Sequence, residues 1–386
     1  MKIIAFYLPQ YHEIPENSQW WGEGFTEWTN VKRAKPLFEN HYQPRIPLHH
    51  NYYCLMDQNQ TFHQQISIAK TYGIYGFCMY HYWFNGRLLL EKPMEQWLKD
   101  KSLDFPYCIC WANENWTNGW VSGENKILIG HDFTDREDWG RHFQYLLPYF
   151  QDERYIRVDG KPFVGIYVPD LMGDSLEEFV TCWRELAIQN GLPGLTFFYQ
   201  SVRTFLNPKC DKHLFDYGIE FQPGYSKMVN RSPLERWKVK TFPLVSQFLQ
   251  KRLHFYLHRD KKQCSVMDYD EMWRQILSTE PLNNKMFPGA FVDWDNTARK
   301  GHNGDVFFGA APEKFEIYMT KQIERARNLY EKEYLFLFAW NEWGECGYME
   351  PDEKFGYGYL DALKHALEAN GEFPEYPESE QREKIK

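Results

Sequence analysis

The chain has 386 residues, of which 43% are apolar and 25% are charged. These proportions are typical of a globular protein and exclude a disordered, collagen-like or coiled-coil chain. The formal net charge of −9 argues against generic nucleic-acid binding, which needs a basic surface, so no nucleic-acid partner is predicted.

The first residues, Met1–Pro9, form a short apolar segment that no small-residue cleavage site follows, and we interpret it as a strand. No segment approaches the roughly 18 apolar residues of a membrane span. The eight cysteines include no Cys-x-x-Cys pair, which argues against a disulfide framework. The sequence therefore predicts a cytoplasmic protein.

Apolar segments bounded by turn residues alternate with longer helical patterns along the chain. The predicted strands are Ile3–Leu8, Tyr75–Tyr82, Tyr107–Ala112, Phe163–Val168, Leu195–Gln200, Tyr217–Phe221, Gly289–Asp293 and Tyr334–Trp340. The predicted helices are Asp57–Tyr72, Leu89–Lys101, Asp135–Phe150, Ser175–Asn190, Pro233–Leu257, Pro312–Lys332 and Phe355–Ala369. The connection Val202–Leu214 shows no clear helical pattern.

The predicted strands do not alternate apolar with polar residues, which indicates a sheet whose two faces are both buried. Eight such strands joined mainly by helices predict an α/β fold, a (β/α)8 TIM barrel forming a single domain over residues 1–370. A doubly wound sheet is the alternative, but no Gly-x-Gly-x-x-Gly follows the first strand.

Two segments depart from the barrel pattern. Residues 227–262 contain ten Lys or Arg and two Asp or Glu, and we predict a basic helical insertion there. It is either a solvated barrel helix or a docking surface, for an acidic partner or for the inner face of an anionic membrane. Residues 371–386 are charged and contain proline, so a frayed C-terminal tail is predicted.

The residues that follow the strands favour a sugar ligand, because carboxylates, amides and aromatic rings accumulate there and TIM-barrel chemistry lies at the carboxyl ends of the strands. Aromatic residues make up 18% of the chain, and Tyr and Trp offer flat apolar faces with polar edges. A phosphate site would need glycine-rich loops and Lys or Arg, which these ends lack. The predicted sugar-contacting residues are Tyr11, His12, His81, Tyr82, Trp83, Trp111, Asn113, Glu114, Trp116, Asp293, Trp294 and Glu350.

Alternate strand residues point away from a barrel axis, so about half of this set is expected to lie behind the ligand-facing layer. Glu342 and Glu345, after the last strand, form the strongest local signal. Cleavage of a glycosidic bond needs one protonated and one ionised carboxyl group, and neighbouring carboxylates shift each other's pKa. The alternative is that one of the two is a surface residue or pairs with an arginine.

A metal site is not predicted. His12 and His81 with Asp293 or Asp295 lack the dense local spacing of common metal motifs, and Asp-x-Asp at a barrel strand end is a weak match to a nucleotide-sugar metal motif. No cofactor is predicted either.

Six motifs, in order along nearly the whole chain, resemble the WbsX family, described as glycosyltransferases of bacterial O-antigen or capsule clusters. That family is similar in turn to glycoside hydrolase family 99, which contains endo-α-mannosidases and endomannanases. The motifs are Tyr7–His12, Trp21–Trp28, Gly76–Trp83, Trp111–Trp116, Pro288–Thr297 and Asn341–Pro351.

The resemblance implies a (β/α)8 barrel and a retaining mechanism in which Glu342 draws the proton from the substrate's own 2-hydroxyl, which attacks the anomeric carbon. Glu345 then protonates the leaving oxygen and afterwards deprotonates the acceptor. This chain departs from the hydrolases at Gly344, where they carry His, and at Cys346, where they carry Gly. Substrate specificity is therefore expected to differ.

Three functions are compared from the sequence, of which the first is the predicted chemistry and the second is the alternative that the family description supplies. The first is an enzyme that cleaves or transfers an α-linked, mannose-like bond in a glycan or lipid-linked oligosaccharide. The second is a nucleotide-sugar-dependent glycosyltransferase of polysaccharide biosynthesis, as the family description says. The third is a non-catalytic glycan-binding or scaffold protein, for which the glutamate pair would be unnecessary.

Overall fold

The structure is a computed structural model that describes residues 1–117, 126–201, 214–230 and 263–376. Its centre is a sheet of parallel strands that we number β1 to β8. They are β1 (Lys2–Tyr7), β2 (Ile74–Phe84), β3 (Tyr107–Trp111), β4 (Lys161–Ile166), β5 (Thr196–Gln200), β6 (Tyr217–Ile219), β7 (Met286–Phe287 continued by Gly289–Phe291) and β8 (Tyr334–Phe338). Each predicted strand is present with slightly different ends.

Strand pairing closes this sheet into a barrel. Each strand from β1 to β6 pairs in parallel with the next, and β8 pairs with β1. The last gap closes through β7, whose first part pairs with β6 and whose second part pairs with β8. The chain thus has the single-domain TIM barrel that the strand pattern predicts.

Glycine permits the closure at β7. A Cβ atom at Gly289 would lie 1.7 Å from the carbonyl oxygen of Glu220, directly after β6, so no larger residue fits there. The strands are otherwise packed with large apolar side chains: every residue of β3 is buried, and Phe6 of β1 contacts the rings of Tyr80 and Phe221. Burial of both faces explains why the strands do not alternate in the sequence.

Helices lie between the strands along the chain. Within the described ranges they are α1 (Pro15–Trp21), α2 (Glu27–Arg33), α3 (Gln60–Thr71), α4 (Lys92–Lys99), α5 (Arg136–Phe150), α6 (Leu176–Gln189), α7 (Gly224–Val229), α8 (Tyr269–Ser278), α9 (Thr297–Lys300), α10 (Pro312–Asn328) and α11 (Gly358–Ala369). Short 3-10 turns are Leu48–His50, Pro169–Ser175, Gly301–Asn303 and Trp343–Glu345.

The helix α8 corrects the sequence analysis, which placed no helix there. Its start has a recognisable signal, because the side chain of Asp268 accepts a hydrogen bond from the backbone N–H of Glu271. The predicted helix Pro233–Leu257 lies outside the described residues, as do all but the first four residues of the basic segment 227–262.

Small strand pairs decorate the barrel. Arg87–Leu89 pairs with β2 and Arg157–Val158 with β4. Ser265–Asp268 pairs with Asp305–Phe308, Trp116–Thr117 with Ile127–Ile129, and Asn341–Glu342 with Gly347–Tyr348. The last of these pairs forms a hairpin directly after β8.

The beginning of the predicted tail packs against the barrel. Glu372 forms an ion pair with the N-terminal amino group at 2.5 Å, and the hydroxyl of Tyr376 donates to the carbonyl oxygen of Ile74. Residues 377–386 lie outside the described part. Across the described ranges, we find no helix with the length and apolar character needed to cross a membrane.

Candidate active site

The turn after β8 carries both predicted catalytic glutamates. Glu342 is the last residue of the first strand of the hairpin, and Glu345 is the last residue of the 3-10 turn Trp343–Glu345. The turn ends at Cys346, whose backbone adopts the left-handed conformation with φ of 58°. Two acidic side chains are therefore held three residues apart on a tightly bent segment.

Contacts with the segment that follows β1, the strand paired with β8, fix this hairpin. The side chain of Asn341 accepts from the backbone N–H of Leu8 at 2.8 Å and donates to its carbonyl oxygen at 3.1 Å. Tyr11 lies beneath the turn, where its hydroxyl donates to the carbonyl oxygen of Asn341 and accepts from the N–H of Trp343 at 3.2 Å. Tyr11 thus positions the segment that holds Glu342.

A single guanidinium group joins the acidic side chains. Arg299, on the short helix α9, lies with Nη2 at 2.8 Å from Glu342 and Nη1 at 3.3 Å from Glu345. Its Nε donates to Glu27, the first residue of α2, at 2.7 Å. The pairing with an arginine, which the sequence left as the alternative to catalysis, is present for both glutamates.

The two glutamates differ in their surroundings. The Glu342 side chain is 5% exposed, whereas that of Glu345 is 15% exposed. Burial raises the pKa of Glu342 to about 8; Arg299 opposes this shift, while Glu345 and Glu27 add to it. The buried member of the pair therefore holds a proton far more tightly than an ordinary glutamate.

Aromatic rings lie beside this cluster. Tyr82, at the carboxyl end of β2, is close enough that the charge of Glu342 adds to the burial that raises the pKa of its hydroxyl. The ring of Trp116 stands edge-on to Tyr82 at 5.4 Å and to Trp20 at 6.0 Å. Trp294 lies 5.2 Å from the ring of Phe338 at the end of β8. Of these predicted aromatic residues, Tyr82 is thus linked to Glu342, and Trp116 to Tyr82.

Three other predicted residues face the helices instead. His81 Nε2 lies 2.9 Å from Nε2 of His142 on α5, and Trp83 stacks on that His142 ring at 4.7 Å. Trp111 stands edge-on to the same ring. Their packing follows from strand alternation, since Tyr82 lies between His81 and Trp83 and points the other way.

The remaining predicted residues that follow β1 and β3 have separate surroundings. Asn113 is fully buried and exchanges two hydrogen bonds with the backbone of Val168, so it links the ends of β3 and β4. His12 is buried, its pKa lowered to about 4 by that burial, and neither ring nitrogen has a hydrogen-bond partner among the described residues. Glu114 is half-buried, four residues before the undescribed segment 118–125.

Asp293 and Asp295 belong to a second buried network. Asp293 pairs with Arg45 at 2.7 Å, while Oδ2 of Asp295 lies 2.8 Å from His41 Nε2 and 2.6 Å from Gln43 Nε2. The second pair of donors to Asp295 comes from the backbone and hydroxyl of Thr297. No group of three or more His, Cys, Asp or Glu with metal-binding geometry occurs within the described ranges.

Glu350 lies in the wall of a separate cavity. Its carboxylate accepts from Trp343 Nε1 and Gln65 Nε2, both at 2.7 Å, and from the Tyr53 hydroxyl at 3.0 Å. Burial raises its pKa to about 7. The cavity, of about 1010 Å³, lies between α3, the 47–53 loop and the segment after β8, and Glu342 and Glu345 are not among its lining residues.

The sequence analysis did not identify Arg299 or Glu27 as site residues. Both occur in or directly after motifs that it did single out, Trp21–Trp28 and Pro288–Thr297. Their meeting across 272 positions of sequence is a consequence of the fold and leaves no local pattern.

Comparison with protein families finds a model described as glycosyltransferase WbsX, which matches residues 3–363. Two uncharacterised WxcX proteins of Xanthomonas campestris pv. campestris are 32% identical over 367 residues, covering 95% of this chain. The match takes up 49% of each relative, so this chain spans about half the length of the curated proteins it resembles.

Comparison with solved structures finds the same barrel in carbohydrate-active proteins. A glycoside hydrolase-like protein aligns over 95% of this chain and 93% of its own with a TM-score of 0.56 and 14% identity. A GH99 endo-α-mannosidase from Bacteroides thetaiotaomicron aligns over 96% of both chains with a TM-score of 0.52 and 12% identity. At these identities the likeness establishes the fold.

Proposed function

This chain belongs to the WbsX glycosyltransferase family, a family with a glycosidase-like barrel, and we propose that it cleaves or transfers an α-linked, mannose-like glycosidic bond with retention of configuration. One observation carries the proposal: Glu342 and Glu345 lie three residues apart on one fixed turn at the barrel mouth, and they differ in burial, with side chains 5% and 15% exposed. Acid and base chemistry on one glycosidic bond needs two such carboxyl groups, one more readily protonated than the other.

In the first step, the ionised carboxylate of Glu342 accepts the proton of the substrate's 2-hydroxyl. The hydroxyl oxygen attacks the anomeric carbon, the bond from that carbon to the leaving oxygen breaks, and Glu345 gives its proton to the leaving oxygen. A 1,2-anhydro sugar results, Glu342 is now protonated, and Glu345 is ionised.

In the second step, Glu345 takes the proton of an incoming hydroxyl, whose oxygen attacks the anomeric carbon from the face that the leaving group vacated. The bond between the anomeric carbon and oxygen 2 breaks, and Glu342 returns its proton to oxygen 2. Two inversions give net retention, and both glutamates recover their starting states. Water as the acceptor gives hydrolysis, and a sugar hydroxyl gives transfer.

The surroundings of the two glutamates suit these roles. A carboxylate whose pKa is raised to about 8 is a stronger base once ionised, which helps it to draw a proton from a weakly acidic sugar hydroxyl. The more exposed Glu345 is placed to meet leaving groups and acceptors that come from solvent. Tyr82, Trp116 and Trp294 offer rings for the apolar faces of a sugar.

The charge of the cluster favours a glycan over a nucleotide-sugar donor. Among the described residues of the cluster, one guanidinium faces three carboxylates, so its formal charge is negative unless protons are bound. A diphosphate leaving group would enter against that charge. The family description nevertheless makes nucleotide-sugar-dependent transfer the second candidate, acting in the cytoplasm on a lipid-linked acceptor of surface polysaccharide assembly.

Product stereochemistry tests the first candidate. The purified chain is incubated with an activated α-mannoside, and the anomeric protons of the first-formed product are followed by NMR before mutarotation. We expect the α-anomer with the parent and no turnover with the matching substrate methylated at oxygen 2. A β-anomer, or undiminished cleavage of the methylated substrate, would contradict the mechanism.

Calorimetry separates the two candidates. Titration with nucleotide sugars is expected to give no measurable binding heat, while mannose-containing oligosaccharides bind. Tight binding of a nucleotide sugar by a chain that cleaves no glycoside would select the transferase.

A further inference from the structure

Glu27 is a buried acidic residue to which the reaction proposed above gives no role. It begins helix α2, directly after Thr26, which caps the helix. Its side chain is 10% exposed and its Oε1 accepts from Nε of Arg299 at 2.7 Å. The same guanidinium holds Glu342 and Glu345 through its other two nitrogens, so Glu27 competes with the proposed base for one cation.

The turn is shaped to admit this third carboxylate. A Cβ atom at Gly344 would lie 2.2 Å from Oε1 of Glu27 and 2.7 Å from Nε of Arg299. Glycine at this position therefore permits the contact between Glu27 and Arg299 to form directly over the backbone between the two glutamates. The contact and the residue that permits it come from three separate segments of the chain, which makes it a built feature of the site.

The cluster contains more acidic groups than basic groups. Three ionised carboxylates and one guanidinium would leave two net negative charges in a buried space, which is unfavourable. A bound proton relieves part of that charge, and it is held best by the least exposed carboxylate, which is Glu342. Each acidic neighbour that draws on Arg299 strengthens this tendency.

We propose that Glu27 is a positioning residue of the site, which shares Arg299 with the two glutamates and thereby sets how tightly Glu342 holds its proton. The inference rests on the proposed function in assigning Glu342 the part of base. Through Glu27, the enzyme keeps that base strong, at the expense of needing a higher pH to ionise it.

Groups from five segments face Glu342, and each bears on its protonation. They are Glu27 of α2, Arg299 of α9, Glu345 of the same turn, Tyr82 of β2 and Tyr11 of the loop after β1. Burial raises the pKa of both tyrosines well above its ordinary value, so they stay neutral in the range where Glu342 titrates. Glu27, Glu345 and Arg299 are therefore the charged partners that can tune it.

The test is a titration that needs no substrate. Protein labelled with carbon-13 at the glutamate carboxyl is titrated by NMR, and the Glu342 signal is assigned by its absence in Glu342→Gln. Glu27→Gln keeps the shape of the side chain and removes its charge. We expect the Glu342 midpoint to fall by about one pH unit, because a neighbouring negative charge is lost and Arg299 is freed.

Glu23→Gln is the matched control, since it removes the same charge from an exposed residue four positions away and should leave the midpoint where it is. Glu27→Asp, which keeps the charge, should stay nearer the parent than Glu27→Gln. If Glu27→Gln does not fold, Glu27→Ala removes the same charge and should lower the midpoint too.

An unchanged midpoint in a folded Glu27→Gln protein, or in folded Glu27→Ala, would overturn the inference. The activity assays fail separately: a chain that cleaves and transfers no glycoside refutes the proposed function, while the titration still reports whether Glu27 controls Glu342.

Discussion

Two arginines bind the acidic residues that follow β7 and β8, and their surroundings differ in the number of hydrogen-bond donors offered to each carboxylate. Arg299 faces three glutamates with one cation between them. Arg45 pairs with Asp293, and Asp295 in the same network accepts hydrogen bonds from His41, Gln43 and Thr297. Glu342 is therefore short of donors, whereas Asp295 is well supplied.

Protonation follows the supply of donors. Burial tends to raise the pKa of Asp295, but hydrogen bonds from His41 and Thr297 outweigh it and hold the pKa below its ordinary value. Glu342, with one shared guanidinium, has its pKa raised to about 8 by burial. A buried carboxylate with enough donors is a fixed structural anion, whereas one with too few can exchange a proton near neutral pH.

Loss of Glu345 should give the largest effect. Since Glu345 serves as the acid in the first step and as the base in the second, a good leaving group relieves only one of its tasks. We expect Glu345→Gln to lower kcat by about 1000-fold on an activated α-mannoside. Steady-state kinetics measures the loss, and circular dichroism checks that the barrel is intact. Activity within a few-fold of the parent would remove Glu345 from the mechanism.

The pH profile should give the next largest effect. Glu342 must be ionised to act as base, and with a pKa of about 8 only about one molecule in a hundred is ionised at pH 6. With a substrate whose leaving group departs without being protonated, the first step does not need Glu345 as acid, and we expect kcat/KM to rise by about 100-fold between pH 6 and pH 9. A profile that shows no such rise with this substrate would remove Glu342 as the base.

The raised pKa of Glu342 also affects stability. A rise in pH that increases activity lowers the contribution of Glu342 to the free energy of unfolding. The folded chain holds the Glu342 proton more tightly than the unfolded chain, so its contribution to stability is present below about pH 4.5 and is lost as the pH rises through about 8. The profile is therefore measured well below the melting temperature, which is determined at each pH.

A substitution in the other network should act on stability. Asp295→Asn keeps the size of the side chain but places an amide among donors from His41, Gln43 and Thr297. We expect the free energy of unfolding to fall by about 3 kcal/mol, measured by urea denaturation, with kcat changed only a few-fold in the folded protein. A loss of kcat comparable to that of Glu345→Gln would erase the distinction between the two clusters.

The barrel was predictable because buried strands and periodic helices each leave a pattern within a short stretch of sequence. The eight strands and the helices Arg136–Phe150 and Leu176–Gln189 lie within a few residues of their predicted bounds. Helix α8 was missed although Asp268 and Glu271 carry a capping signal. The sequence analysis predicts one helix, Pro233–Leu257, between β6 and β7, and therefore none at the position of α8.

The site was predictable only in part, because its geometry depends on the direction of each side chain and on partners far away in sequence. His81, Trp83 and Trp111 are at the correct ends of strands but point towards α5. The partner of the glutamate pair, Arg299, approaches them from the short helix α9, which no spacing rule connects with β8.

A matched pair of tyrosine substitutions should give the smallest effect and the finest comparison of the two regions. The Tyr11 hydroxyl links Asn341 to Trp343 beneath the catalytic turn. The Tyr348 hydroxyl, in the network of Arg45, donates a hydrogen bond of 2.7 Å to Asp352. Each Tyr→Phe change removes a buried hydroxyl and should cost about 1 kcal/mol of stability. Only Tyr11→Phe should also lower kcat, by about 10-fold, because catalytic groups must be held to within a fraction of an ångström. Equal kcat values for the two variants would mean that the backbone of the turn holds Glu342 in place without the help of Tyr11.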